Sequence, residues 1–175
     1  FGRELIGRMN ERRMLLDLSH ANMQTMGEAI AASRAPVVVS HTACMALHPH
    51  RRNTTDENLR AFPFIYMTGH GTIRLSPEER DNLRAYLEDG GFLMINDSYG
   101  MDGAVRAMVR DVFPDHPLEE LPNDHPVFHS FYNLPGLPKI HEHDGKTPQA
   151  FGVTIDGRLV LFYDYESDIG DGLAD

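Results

Sequence analysis

Histidine or aspartate stands at the end of four apolar runs in the first hundred residues. The run "LLDLS" leads to His20, "VVVS" to His41, "FIYMTG" to His70 and "FLMIN" to Asp97. Imidazole nitrogen and carboxylate oxygen are ligands that zinc accepts, and side chains at the ends of adjacent strands can share one ion. We therefore predict His20 and His41 as metal ligands, with His70 and Asp97 as further candidates. The alternative is that each side chain only hydrogen-bonds a neighbouring loop.

Three other groups could do chemistry. In "IHEHDG", His141 and His143 would lie on one face of an extended segment and form a metal pair, although a solvated surface turn is the alternative. The acidic stretch 168–171 could be a cation loop, but it lacks the spacing of a calcium-binding hand. Ser98 follows a predicted strand and precedes a predicted helix, without the glycine pattern of a nucleophile elbow. No catalytic residue is predicted.

The elements that would position these residues alternate between strand and helix. Apolar residues at helical spacing predict helices over 2–13 and 22–33, and start signals at Ser76-Pro77 and Asp102 predict helices over 77–89 and 102–112. Each helix lies next to a short apolar strand. This alternation predicts an α/β fold with a three-layer, flavodoxin-like, mostly parallel sheet of strand order 2-1-3-4-5. In "AFGVTIDGRLVLFYDY", the Asp156-Gly157 pair between alternating apolar residues predicts a C-terminal β-hairpin.

Composition restricts the partners. The chain of 175 residues has 16 basic and 26 acidic residues and a formal charge of -10, which disfavours nucleic acid and anionic membrane surfaces. No apolar run approaches the roughly 18 residues of a membrane helix. The single cysteine, Cys44, excludes an internal disulfide and suits a reducing compartment. We therefore expect a cytoplasmic monomer or homodimer that binds a small molecule or a metal ion.

The leading third carries three specific motifs: "DLSH", "SH" 21 residues later, and "HPHRRNTTDE". With these motifs, residues 2–61 resemble the membrane (renal-type) dipeptidases, which are zinc hydrolases built on a TIM barrel. It implies that His20 and His41 ligate a metal and that Arg52 contacts the substrate carboxylate. The family's remaining metal ligands and its late catalytic Asp have no counterparts here.

The remainder, residues 62–175, is similar to an uncharacterised bacterial domain family whose fold is related to the class I glutamine amidotransferases. Together the two resemblances imply one domain over 1–175, built from a barrel-derived βαβα segment, 1–61, and a flavodoxin-like segment, 62–175. The first interpretation is an engineered chimera, and a natural recombinant is the alternative.

Three functions follow as hypotheses. The first is a chimera without evolved catalytic activity, because a dinuclear hydrolase site needs more groups than two histidines and Arg52. The second is a zinc-dependent, dipeptidase-like hydrolase that uses His20 and His41. The third is a module that binds a metal or a small anion, the anion near Arg52. In each case we expect zinc to bind weakly at most, since zinc sites use three or four protein ligands.

Overall fold

The computed structural model describes residues 1–40, 55, 62–141 and 143–172. The chain divides into two compact units, Phe1–Phe62 and Pro63–Asp175. This division falls one residue beyond the fragment boundary expected from the sequence. That the two units form the single domain expected over 1–175 stays a prediction.

The first unit carries two helices and two short strands. Helix α1 spans Gly2–Glu11, strand β1 Leu16–Asp17, helix α2 Met23–Ala32 and strand β2 Val37–Val38. The two strands pair in parallel. The core of this unit comprises buried side chains from both helices and their connections: Ile6, Leu18, Met26, Ala29 and Phe62.

The second unit contains a five-stranded mixed sheet. Its elements are β3 (Phe64–His70), α3 (Pro77–Glu88), β4 (Phe92–Tyr99), α4 (Asp102–Val112), β5 (Glu119–Glu120), a 3-10 helix (Pro126–His129), β6 (Gln149–Ile155), β7 (Arg158–Tyr165) and α5 (Ile169–Gly172). The strand order is β3-β4-β7-β6-β5. Strands β3, β4 and β7 run parallel, whereas β6 is antiparallel to β7 and β5 to β6.

The α/β class is confirmed, and so is the C-terminal hairpin. Strands β6 and β7 pair around Asp156 and Gly157, whose φ angles of 49° and 77° are those of a tight hairpin turn. The three-layer arrangement and the order 2-1-3-4-5 are not confirmed. Within the described residues β1 and β2 form a sheet of their own, and β3 pairs with β4. Part of the difference is that β7, the second strand of the hairpin, lies beside β4.

Successive side chains of β4 and β7 pack on opposite faces of the sheet. Leu93 and Leu161 join a core packed under α3 and α4, whereas Phe92 and Phe162 pack with Phe128 of the 3-10 helix. Helices therefore cover one face of the sheet, and a largely irregular segment lies on the other. No helix in the described residues is long and apolar enough to cross a membrane.

The start of α3 agrees with its sequence signal. Ser76 Oγ accepts the Glu79 N–H at 3.3 Å, while Glu79 Oε2 accepts the Ser76 N–H at 2.6 Å. This reciprocal capping box satisfies two backbone donors that a helix start leaves unpaired. It fixes the strand-to-helix turn that follows His70.

Candidate functional site

A cleft of about 410 Å³ opens at the carboxyl ends of the three parallel strands. Residues from four segments line it: His70 from β3, Ser98 and Tyr99 from β4, His141 and His143 from the loop before β6, and Asp168 and Asp171 after β7. Ligands of open α/β sheets bind at this edge because the loops that leave the strands converge there. The position of the cleft therefore favours a binding role.

The loop that carries the two histidines is fastened to the end of β7. Lys139 Nζ donates to the Glu166 carbonyl at 2.8 Å and to Glu166 Oε2 at 3.1 Å. Ser167 Oγ donates to the Pro138 carbonyl, and the Ser167 carbonyl accepts the His141 N–H at 3.0 Å. These bonds hold an otherwise irregular segment against the cleft.

His143 and Asp168 form the floor of the cleft. Their side chains are only 2% and 5% exposed, and His143 Nε2 lies 3.6 Å from Asp168 Oδ2. That separation exceeds an ordinary hydrogen bond. Among the described residues, His143 Nε2 is the buried side-chain atom without a hydrogen-bond partner. Since buried polar atoms are nearly always paired, this nitrogen points to a missing interaction.

Backbone strain is concentrated at the same place. His143, Glu166 and Asp168 have φ angles of 38°, 59° and 56°, in the left-handed region that residues with a Cβ seldom adopt. Such conformations persist where the surrounding contacts enforce them, and they cluster at functional sites. The strain agrees with a cleft whose side chains are held in fixed positions.

A buried polar network supports Asp168 from below. Asn96 Nδ2 donates to Asp168 Oδ1 at 2.7 Å, and Asn96 Oδ1 accepts the Gly170 N–H at 2.7 Å. Asp164 accepts the N–H groups of Asp97 at 2.8 Å and Ile169 at 3.1 Å. The network therefore joins the end of β4 to the first residues of α5.

Burial raises the pKa of Asp164 to about 7, with a further contribution from the nearby Asp168 and Asp97 carboxylates, although the two backbone donors act in the opposite direction. At the rim, the Tyr99 hydroxyl donates to Asp144 Oδ1 at 3.2 Å, and this bond raises the pKa of the phenol. Lys146, hydrogen-bonded at 3.2 Å, is the leading cause that lowers the pKa of Asp144.

The predicted site residues lie in different places. His70 is in the cleft, whereas Asp97 is buried beside it, where its carboxylate accepts the Met101 N–H and the Tyr163 hydroxyl. His20 belongs to the first unit. His41 and Arg52 lie outside the described residues. The predicted roles of all five in metal or substrate binding stay predictions.

The ends of β1 and β2 are tied together by one carboxylate. Asp17 accepts hydrogen bonds from the Ser19 hydroxyl at 2.7 Å and from the Ser40 hydroxyl at 2.6 Å. Although burial alone would raise the pKa of Asp17, these hydroxyl and backbone donors lower it well below its usual range. The Asp of "DLSH" therefore holds together the two strand ends that precede His20 and His41.

No three His, Cys, Asp or Glu side chains in the described part of the chain are already grouped to hold a metal ion. The arrangement that does exist is a buried His143 and Asp168 pair with His70, His141 and Asp171 around it. Any ion bound there would recruit at least one rim side chain.

Comparison with known protein families identifies the family of this chain. The model of a domain of unknown function (DUF4159) matches residues 10–175. The chain belongs to the DUF4159 family. The match begins at residue 10 rather than near residue 62, so the DUF4159 domain also includes most of the stretch that resembles dipeptidases.

A second comparison found a relative that is named as a dipeptidase. The chain is 43% identical over 58 residues to a protein named dipeptidase tcpJ from Claviceps purpurea (strain 20.1). The aligned segment is 33% of this chain but only 14% of the dipeptidase. The DUF4159 chain is thus similar to a small part of that protein.

Sequence reasoning named His143 and Asp168 in separate motifs and did not name Asn96, Tyr99 or Asp164 as functional residues. A signal for Asp164 was present, since it is the one acidic residue inside the apolar run "LVLFYDY". Burying an ionisable side chain in a strand costs free energy unless the side chain is hydrogen-bonded or paired with a charge. Such a residue is therefore a candidate member of a buried polar network.

Proposed function

We propose that this protein is a binding module that holds a small polar ligand in the cleft at the carboxyl ends of β3, β4 and β7, and that it is not a dipeptidase. The observation that supports this most directly is the buried, unpartnered Nε2 of His143 at the cleft floor. A ligand atom at this position would satisfy it.

Charge restricts the class of ligand. Asp168 on the floor and Asp171 at the rim face the cleft, and among the described residues none that lines it is Lys or Arg, although Lys146 lies nearby, bonded to Asp144. A carboxylate or phosphate ligand would meet like charge, which costs free energy in a partly desolvated site. We therefore expect a cationic or neutral ligand here. The anion hypothesis rests on Arg52, which lies outside the described residues.

The test is a nuclear magnetic resonance titration of the full chain with a chelator present. We expect free arginine, spermidine or glucose to shift the amide signals of Ser98, Tyr99 and His143, and phosphate to leave them unchanged. Tyr99→Ala should weaken binding at least tenfold, since about 1.4 kcal/mol of lost contact is enough. The matched variant Tyr132→Ala, at a residue 70% exposed, should bind like the wild type. Shifts confined to another surface, or caused by phosphate alone, would contradict the proposal.

A second candidate is the zinc-dependent hydrolase. Two observations favour it: the 43% identity to part of a dipeptidase, and the Asp17 bonds that join the strand ends before His20 and His41. Against it, the resemblance supplies only two metal ligands, and the other groups that a hydrolase needs have no counterparts.

We expect no dipeptide hydrolysis above background, with or without added zinc, because a bridging carboxylate and a general acid or base are missing from the resemblance. The measurement is amine release from a dipeptide panel by repurified protein. Turnover that disappears in His20→Ala would overturn this expectation and establish the hydrolase.

We also propose that segments from two different protein families are joined near residue 61, by engineering or by natural recombination. The 58-residue length of the dipeptidase match and the division between Phe62 and Pro63 support this. The family match across 10–175 does not itself separate the fragments. Uninterrupted sequencing reads across the junction in genomic DNA of the source would identify a natural recombinant.

A further inference from the structure

We propose that the ligand of the cleft is a divalent transition-metal cation, held by His143 Nε2 and Asp168 Oδ2 with His141 as the third ligand. This inference rests on the proposed function, because it names the class of ligand for the same cleft.

The spacing of the two floor atoms suits a shared ion better than a direct bond. A hydrogen bond between nitrogen and oxygen is about 2.7–3.2 Å long. Zinc lies roughly 2.0–2.2 Å from imidazole nitrogen and carboxylate oxygen, so two such ligands at the tetrahedral angle stand about 3.4 Å apart. The observed separation is 3.6 Å. It is too long for a hydrogen bond and close to the edge of a tetrahedral site.

Burial makes the pair costly without an ion. Both side chains are at least 95% buried, as their exposures of 2% and 5% show. A buried nitrogen without a hydrogen-bond partner carries a desolvation penalty, and the Asp168 carboxylate 3.6 Å away is too distant to relieve it by a hydrogen bond. Asp168 Oδ1 is satisfied by Asn96, which leaves Oδ2 directed toward His143. One cation between them would satisfy both groups.

His141 is placed to complete the site. Its ring centroid lies 5.0 Å from that of His143, and its backbone is fixed by the N–H bond to the Ser167 carbonyl. Its Nδ1 accepts the His143 N–H at a long 3.4 Å, so the ring can turn at small cost. This movement is required, since no three such groups are already arranged in the described residues. We therefore expect micromolar rather than nanomolar affinity.

Ligand chemistry selects the metal. Two imidazoles and one carboxylate favour Zn²⁺, Co²⁺, Ni²⁺ or Cu²⁺ over Mg²⁺ and Ca²⁺, which prefer oxygen ligands. The exposed Asp171 and His70 at the rim could supply a fourth ligand or orient a bound water. The negative charge of Asp171 would attract the cation in either case.

The test is calorimetric titration of the full chain with zinc chloride. It is done in a His20→Gln, His41→Gln double variant, so that the site implied by the dipeptidase resemblance cannot contribute. We expect one zinc per chain with a micromolar dissociation constant. His143→Gln and Asp168→Asn should each weaken binding at least thirtyfold. The control His129→Gln removes a histidine whose ring bonds Asn133 and the Asn123 carbonyl, and it should leave zinc binding unchanged.

Visible absorption of bound Co²⁺ provides a second readout, because tetrahedral and octahedral coordination give different spectra. A tetrahedral spectrum that is lost in His143→Gln supports the site. The inference is overturned if the double variant binds no zinc, or if neither His143→Gln nor Asp168→Asn alters binding. In that event, cleft signals that still respond to arginine, spermidine or glucose with chelator present would preserve the proposed function. An unresponsive cleft would refute both.

Discussion

Asn96→Ala is expected to lower the free energy of unfolding by about 3–5 kcal/mol, because two buried polar groups lose their partners at once. The Asn96 side chain is 1% exposed and holds the Asp168 carboxylate and the Gly170 N–H, each at 2.7 Å. Alanine offers neither a donor nor an acceptor, and the small cavity left behind admits little compensation. Urea unfolding followed by circular dichroism measures the change.

Asn133→Ala is the matched control for this change. The Asn133 amide makes one hydrogen bond, at 2.6 Å to His129 Nδ1 in an exposed position. Water replaces such a bond, so we expect a cost below about 1 kcal/mol. Equal costs for the two variants would show that the network beneath the cleft does not stabilise the fold.

The second large effect concerns pH. Asp164 has a folded-state pKa of about 7 against an ordinary value of 3.8, because burial disfavours its charged form. Between these values the folded state binds more protons than the unfolded state, so the free energy of unfolding falls as pH rises. The contribution is complete below the unfolded pKa and is lost as pH passes through the folded pKa. Between pH 5 and pH 8 the loss is about 3 kcal/mol at most.

Asp164→Asn should remove this pH dependence, since an amide does not titrate in that range. The variant will be less stable at low pH, because its NH₂ group faces one of the two backbone donors that Asp164 accepts, from Asp97 and Ile169. The measurement is the difference between wild-type and variant unfolding free energies from pH 5 to pH 8. Asp124→Asn, at an exposed residue, controls for the change in net charge. Parallel pH profiles for the wild type and Asp164→Asn would contradict the assignment.

Local signals in the sequence determined most of the secondary structure. The capping residues Asn22 and Ser76 start α2 and α3 because their side chains accept backbone N–H groups, an interaction that needs only nearby residues. The Asp156-Gly157 turn is local in the same way, since both residues tolerate positive φ. The α/β class followed from these elements.

The strand order could not be predicted from such local signals. Pairing of β4 with β7 joins segments separated by more than sixty residues, and an apolar strand is compatible with several neighbours. The hydrophobic pattern shows that a strand is buried but does not identify what lies beside it. Only the folded chain places the second strand of the hairpin beside β4.

The candidate site, like the fold, could be predicted from the sequence only in part. The sequence marked His70, the 141–143 pair and the 168–171 stretch as separate features, because residue type and spacing are visible in it. The tertiary structure decided that they share one cleft, since β3, β4 and β7 bring their carboxyl ends together and Lys139 and Ser167 fasten the histidine loop to them. It also decided burial, which depends on every neighbouring segment at once. Burial gives His143 an unpartnered nitrogen and raises the pKa of Asp164.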